Sequence, residues 1–188
     1  MVDFDDIIFY KRAFSDDDFL KAQPYFSQNK WQLQLSRRDF QSHKLFWFMD
    51  LSEESFFTDT LFNNVKNIIG DNFDVERVYA NGQTYGQGGV PHYDDPREEA
   101  YTFLIYMNPE WDQLWGGDTV FLNRYVDKET VQERIFDGDF VLKTKKVTPS
   151  PNSAIFFRSS IVHYAESPTR DFYGIRISLA YKLIKRKS

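Results

Sequence analysis

The sequence predicts a mainly β fold of the jelly-roll type (α+β overall), with N-terminal helices bracing one sheet. Two observations carry that expectation. After Gly70 the chain breaks into eight short apolar or alternating runs, "FDVERVYA", "VPHYD", "AYTFLIYMN", "DTVFLN", "DFVLKTKKV", "NSAIFFRS", "IVHYAE" and "YGIRISLAYKL". Turn formers such as "NGQ", "DDPREE", "WGGD" and "PSPN" separate them, a spacing that suits an antiparallel sandwich or barrel. Aromatic residues make up 18% of the chain, with 19 Phe, 11 Tyr and 4 Trp, which favours pleated, half-buried surfaces over disorder. At 188 residues the chain reads as one domain, with 1–72 as the brace and 73–184 as the β core.

The brace is legible element by element. "SDDDFLKAQPYF" opens on a capping Ser and three Asp, the residues that suit a helix N-terminus. "KWQLQL" and "SHKLFWFMDL" read as strands. In "SEESFFTDTLFNNVKNIIG" the apolar residues Phe57, Leu61, Val65 and Ile68 recur at helical spacing, and Gly70 supplies the stop.

Charge and composition narrow the function classes. The net charge of −5 gives no basic track for nucleic acid. The basic cluster "KLIKRKS" reads as a solubilising tail. With no cysteine, disulfides, Fe–S clusters and thiolate zinc sites are excluded. No apolar run approaches the roughly 20 residues of a membrane span, and the acidic "MVDFDDIIFY" is unlike a signal peptide. A cytoplasmic protein without membrane or nucleic-acid partners is expected.

Against that background one pair of residues stands out. His92 and Asp94 are two apart, so they share a face only in an extended segment. Pro91 favours extension of Val90. His163, in "SSIVHYAE", is a third candidate. Two histidines and a carboxylate form a facial triad with open positions, typical of non-haem Fe(II) oxygenases. The same residues also read as ordinary polar groups at strand ends. In "GIRISLAY", Arg176, Ser178 and Ala180 lie on one face while Ile175, Ile177, Leu179 and Tyr181 lie on the other. The first set then points inward, where a buried arginine demands a carboxylate, from the protein or from a ligand. Thr102, Leu104 and Tyr106 likewise share a face. Asp95 faces away from Asp94, so Asp94 is the candidate ligand. Gly86 and its neighbours, in a stretch with three glycines in four residues, serve either as a turn or as a mobile lid. Arg97, Trp115 and Arg124 are further lining candidates, and His43 reads as an uninvolved polar residue.

Taken together, "VYANGQTYGQGGVPHYDD", "YTFLIYMN", "WGGDTVFL" and "PSPNSAIFFRSSIVHYAESPTRDFYGIRISLAYKL" resemble the 2-oxoglutarate- and Fe(II)-dependent oxygenases of the prolyl 4-hydroxylase-like branch. The resemblance spans roughly residues 73–184. It implies a double-stranded β-helix, with Fe(II), 2-oxoglutarate and O2 as metal and co-substrates, and ascorbate as an accessory reductant. It matches His92, Asp94 and His163 to the iron ligands. Arg176, Ser178 and Tyr106 match groups that hold the distal carboxylate of 2-oxoglutarate, and Tyr79 a tyrosine lining the co-substrate pocket. The implied activity is hydroxylation of a C–H bond of a prolyl or similar residue in a peptide or protein, with release of succinate and CO2. A free amino acid or other small molecule is an alternative substrate. Two departures concern the substrate: Arg176 stands where many prolyl hydroxylases carry Lys, and "GQGGVP" lengthens the approach to H-x-D. A nucleic-acid demethylase is suggested only superficially by the pair Arg170 and Arg176, since Arg170 follows His163 by just seven residues. A non-catalytic cupin-like binding module would need neither triad nor Arg176.

Overall fold

A computed structural model of the chain describes residues 4–35, 45–125 and 144–187. Among these described residues ten strands form two antiparallel sheets. They are β1 (Ile8–Tyr10), β2 (Gln32–Leu35), β3 (Leu45–Asp50), β4 (Phe73–Gln83), β5 (Ala100–Tyr106), β6 (Thr119–Tyr125), β7 (Thr144–Val147), β8 (Ala154–Arg158), β9 (Ile161–Ala165) and β10 (Arg176–Lys185). The large sheet runs β1-β8-β5-β10-β4-β3-β2, and the small one β7-β6-β9. This is the expected jelly-roll arrangement. Strands distant in sequence become neighbours, and β10 lies at the centre of the large sheet between β4 and β5.

Helix α1 (Asp16–Phe26) begins where the sequence placed it, with the Ser15 side chain accepting from the Asp18 N–H at 3.1 Å. The second helix is less regular than its periodicity suggests. Residues Phe56–Leu61 form a π-helical turn, which passes into α2 (Phe62–Ile69) and ends at Gly70 with φ 94°. Phe57, Leu61 and Val65 are fully buried, and Ile68 packs at the edge of the same cluster. The Tyr181 hydroxyl donates to the Phe57 carbonyl at 2.9 Å, tying this turn to the sheet beneath it.

The strict alternation of β10 sorts the core into two layers. Ile177, Leu179, Tyr181 and Leu183 face the helices, with Phe19, Ala22, Phe26, Leu61 and Val65 on the other side of that layer. Between the two sheets lies a smaller cluster of Leu104, Tyr106, Phe121, Ile155, Phe157 and Ile161.

Three expectations are corrected. "NGQ" is no breaker, because β4 continues through it to Gln83. Gly82 is required there by packing: a Cβ would lie 2.3 Å from Ile175 Cδ1 and 3.1 Å from the Trp31 ring. "VPHYD" is extended but forms no ladder, and a single bridge between His92 and His163 joins it to β9. Finally, "KLIKRKS" is not a tail as a whole. Its first residues belong to β10, and Lys182 points inward. His43 lies outside the described residues, as does the side chain of Arg124.

Candidate active site

The large sheet's inner face is a grid of residues in register. Arg176 pairs with Gln83, Ser178 with Asn81, Ala180 with Tyr79 and Lys182 with Arg77 across the β4 ladder. On the other side Ser178 meets Tyr106, Ala180 meets Leu104 and Lys182 meets Thr102 of β5. Because side chains alternate, all of these project to one side. Above them sit β9 and the segment carrying His92. They enclose a cavity of about 800 Å³ lined by Tyr79, His92, Asp94, His163, Arg176 and Lys182 among others, a size usual for small-molecule sites.

At one end His92, Asp94 and His163 converge, with candidate ligand atoms all within 4.8 Å of one another. His92 Nε2 is 3.7 Å from one Asp94 oxygen, and His163 Nε2 is 3.5 Å from the other. Each imidazole Nδ1 lies against a carbonyl two residues upstream, His92 on Val90 at 2.8 Å and His163 on Ile161 at 2.9 Å. Donation from Nδ1 to those carbonyls leaves both Nε2 lone pairs aimed at the common centre, as metal-ligating histidines require. Burial pulls the His163 pKa down to about 4 against the attraction of Asp94, so the ring is neutral. Burial opposes ionisation of Asp94, but Lys182 and the two histidines outweigh it and hold the carboxyl well below its usual range. Two imidazoles and a carboxylate suit a divalent metal.

The other end is built around Arg176, which is 1% exposed. Its guanidinium donates to the Gly117 carbonyl at 2.6 Å, Gln83 Oε1 at 3.0 Å and Thr119 Oγ1 at 3.1 Å, and lies 5.3 Å from the centre of the Tyr106 ring. All three acceptors are neutral, and Arg176 has no ion pair among the described residues. A buried cation so placed is costly until an anion joins it. The Tyr106 hydroxyl donates to Thr119 at 2.7 Å, and its pKa is pushed up to about 12 by burial. With Tyr106 and Arg176 both donating to it, Thr119 has its own proton left for the cavity. Asn81 adds a second polar demand, for its buried Oδ1 has no hydrogen-bond partner among the described residues, and Asn81 lines the same space.

A model of the "2OG-Fe(II) oxygenase superfamily" matches residues 79–181, more than half of the chain. The chain belongs to this superfamily. A search of curated protein sequences returned no match. Solved structures show the fold alone, at low identity. A prolyl hydroxylase from Trichoplax adhaerens, in complex with a hypoxia inducible factor peptide fragment, aligns with TM-score 0.66 and 13% identity over 95% of this chain and 83% of that one. The viral collagen prolyl hydroxylase of Paramecium Bursaria Chlorella virus-1 gives 0.58 and 14%, over 96% of each chain. The epimerase SnoN, in complex with Fe3+, alpha ketoglutarate and nogalamycin RO, gives 0.67 and 11%, over 96% and 81%.

For a 2-oxoglutarate-dependent oxygenase the two ends fit their ligands: a triad for iron, and for a dicarboxylate a buried arginine with no ion pair among the described residues. The structure brings His92, Asp94, His163, Arg176, Ser178 and Tyr79 to one cavity. Tyr106 is beside it, but its hydroxyl is directed at Thr119 and not into the open space. Asp95 is turned away onto Arg97, as expected. Arg97 is not a lining residue, because Glu76 and Asp95 hold it on the outer surface. Nor does Trp115 reach the cavity; it packs against Trp111 and Phe172. Gly86, at φ 82°, satisfies a turn, and the stretch is tied to the segment after His163 by Gly86 N–H on Ser167 Oγ and Gly89 N–H on the Ala165 carbonyl, both 2.7 Å.

Sequence reasoning missed Lys182 and Thr102, the two groups that grip the metal-site carboxylate. Lys182 forms an ion pair with Asp94 Oδ2, and Thr102 donates to the same oxygen at 2.7 Å. The signal was available: the inward set 176, 178, 180 continues to 182 by the same alternation. Thr119 was quoted within "WGGDTVFL", but its contact with Arg176 depends on a cross-sheet approach that spacing does not reveal.

Proposed function

We propose that this oxygenase hydroxylates a C–H bond of a prolyl or similar residue in a peptide or protein, releasing succinate and CO2. The observation that carries the reading is the pairing, in one cavity, of the His92, Asp94 and His163 cluster with Arg176, a buried cation with no ion pair among the described residues. His92, Asp94 and His163 would hold Fe(II), and Arg176, Thr119 and Ser178 would take the distal carboxylate of 2-oxoglutarate through charge-assisted hydrogen bonds. Iron with its bound keto acid supplies the oxidising chemistry. The chain's own work is placement. The Nδ1 contacts to Val90 and Ile161 orient the imidazoles, and Thr102 and Lys182 fix Oδ2 of Asp94. Tyr79, its ring tilted against that of Phe48 at 5.3 Å, flanks the space left for substrate.

The prolyl reading is supported by the motif resemblance and by the prolyl hydroxylases among the structural neighbours. A small-molecule substrate is the second reading, favoured by neighbours solved with nogalamycin RO and with hygromycin B. A panel of proline-containing peptides and free amino acids, scored by a mass gain of one oxygen with matching succinate release, tests both. Oxygen gain on peptides supports the first reading. Gain confined to free amino acids or other small molecules replaces it with the second, and no Fe(II)-dependent succinate with any member overturns the oxygenase assignment for this site.

A further inference from the structure

The cavity carries one charged group that neither the triad nor the co-substrate end uses. Arg77 is exposed at the mouth, on the same face of β4 as Tyr79, directly across from Lys182. Its guanidinium lies 5.0 Å from the centre of the Phe48 ring and 4.8 Å from that of Tyr79. Two aromatic rings therefore flank it, an environment in which arginine can still bind a carboxylate as a fork through its N–H edge. No carboxylate lies at ion-pair distance from it among the described residues, although Asp50 is near enough for Arg77 to help the Ser52 N–H hold that carboxyl below its usual range. Its chain neighbour Glu76 is held by Arg97, and Asp50 on the adjacent strand accepts from the Ser52 N–H at 3.0 Å.

The charge balance of the cavity points the same way. Although the chain is acidic overall at −5, the described lining residues include three cations, Arg77, Arg176 and Lys182, against the single carboxylate of Asp94. A divalent metal and a dianionic co-substrate cancel each other and leave that surplus standing. Arg176 then faces the distal carboxylate of the co-substrate, Lys182 is engaged by Asp94, and Arg77 is the lining cation left without a carboxylate at ion-pair distance among the described residues. Beside it Leu33, Phe46 and Phe48 form an apolar border.

We propose that the substrate of this oxygenase carries a carboxylate that pairs with Arg77 while its apolar part crosses Phe46 and Phe48. This rests on the oxygenase reading above and adds the substrate's charge to it. The carboxylate has two possible sources, an acidic side chain in a peptide or the free acid group of a small molecule, and matched probes separate them. Acetyl-prolyl-aspartyl amide is compared with acetyl-prolyl-asparaginyl amide, and acetylproline with its amide. Binding is measured by calorimetry without oxygen, with Fe(II) present and 2-oxoglutarate filling the Arg176 end. The acid member of at least one pair should bind about 10- to 100-fold more tightly than its amide. Arg77→Gln should bring that ratio close to one, and Arg77→Lys should retain part of it. Preference within the peptide pair alone assigns a peptide substrate, and within the acetylproline pair alone a small acid. Equal binding of acid and amide, no binding by any probe, or a preference that persists in Arg77→Gln overturns the proposal. Succinate release in air by the wild-type enzyme without a probe reports on the underlying oxygenase reading separately.

Discussion

Arg176→Met probes the co-substrate end most directly. Methionine keeps the aliphatic stem that packs there but removes the guanidinium and its hydrogen bonds to Gly117, Gln83 and Thr119. Truncating one side of a buried, hydrogen-bonded charge pair costs about 2–5 kcal/mol, so 2-oxoglutarate should bind roughly 30- to several thousand-fold more weakly. The comparison that isolates the cause is 2-oxobutyrate, which shares the keto acid end and lacks the distal carboxylate. It should lose little in the variant, so the preference for 2-oxoglutarate collapses. Anaerobic titration of the Fe(II) protein with each keto acid, followed through the weak visible charge-transfer band, measures both constants. A variant that keeps the wild-type preference between the two keto acids would refute the assignment of Arg176.

Other perturbations test separate parts of the site. His92→Ala and His163→Ala should each abolish Fe(II)-dependent succinate production, and undiminished turnover in either sinks the triad. Lys182→Met leaves the buried Asp94 without its cation, so the metal-free protein should lose about 2–5 kcal/mol; the melting-temperature gap between EDTA and Mn(II) samples should widen, and an unchanged gap counts against this role. Gly117 sits at φ 74°, and an added Cβ would lie 3.0 Å from Arg176 Cδ. Gly117→Ala should therefore weaken 2-oxoglutarate binding through displacement of Arg176, detected in the same titration. In the metal-free protein His163 has its pKa lowered to about 4, so between about 6.5 and 4 the unfolded chain binds the extra proton. Stability should fall as pH drops through that window, by on the order of 3 kcal/mol at most, and a flat urea-denaturation profile there would contradict a buried neutral ring.

The parts of the site that the sequence disclosed are those governed by local rules. H-x-D, the inward alternation of Arg176, Ser178 and Ala180, the Ser15 cap and the Gly70 stop all follow from spacing within one element. What stayed hidden depends on which strands become neighbours. Phe46 and Phe48 reach the cavity because β3 pairs with β4, and nothing in "KLFWFMDL" announces that partner. Arg97 misled because a charged residue near a motif invites a ligand role, whereas Glu76, the chain neighbour of the cavity-lining Arg77, holds it outside. Lys182 was obscured by composition: as the first letter of a basic cluster it looked like surface, while the period of two put it beneath the metal site. The π-helical turn before α2 leaves no trace in the apolar spacing, because the buried positions Phe57, Leu61 and Val65 fit a regular helix equally well.

The two histidines of the triad are joined through their backbones as well as by their proposed ligand role. His92 N–H donates to the His163 carbonyl at 3.0 Å, and His163 N–H returns the bond at 2.8 Å. That reciprocal pair bridges the H-x-D segment to β9, supplemented by the Gly89 N–H on the Ala165 carbonyl at 2.7 Å and the Asp94 N–H on the Ser159 carbonyl at 2.8 Å. An ion shared by the side chains of 92, 94 and 163 would clamp the same junction a second time. Opening of the junction and release of the ion are then one event. The amide protons of His92, His163 and Asp94 would exchange with deuterium slowly when metal is bound and faster when it is stripped, turning this short stretch of backbone into a gauge of iron occupancy.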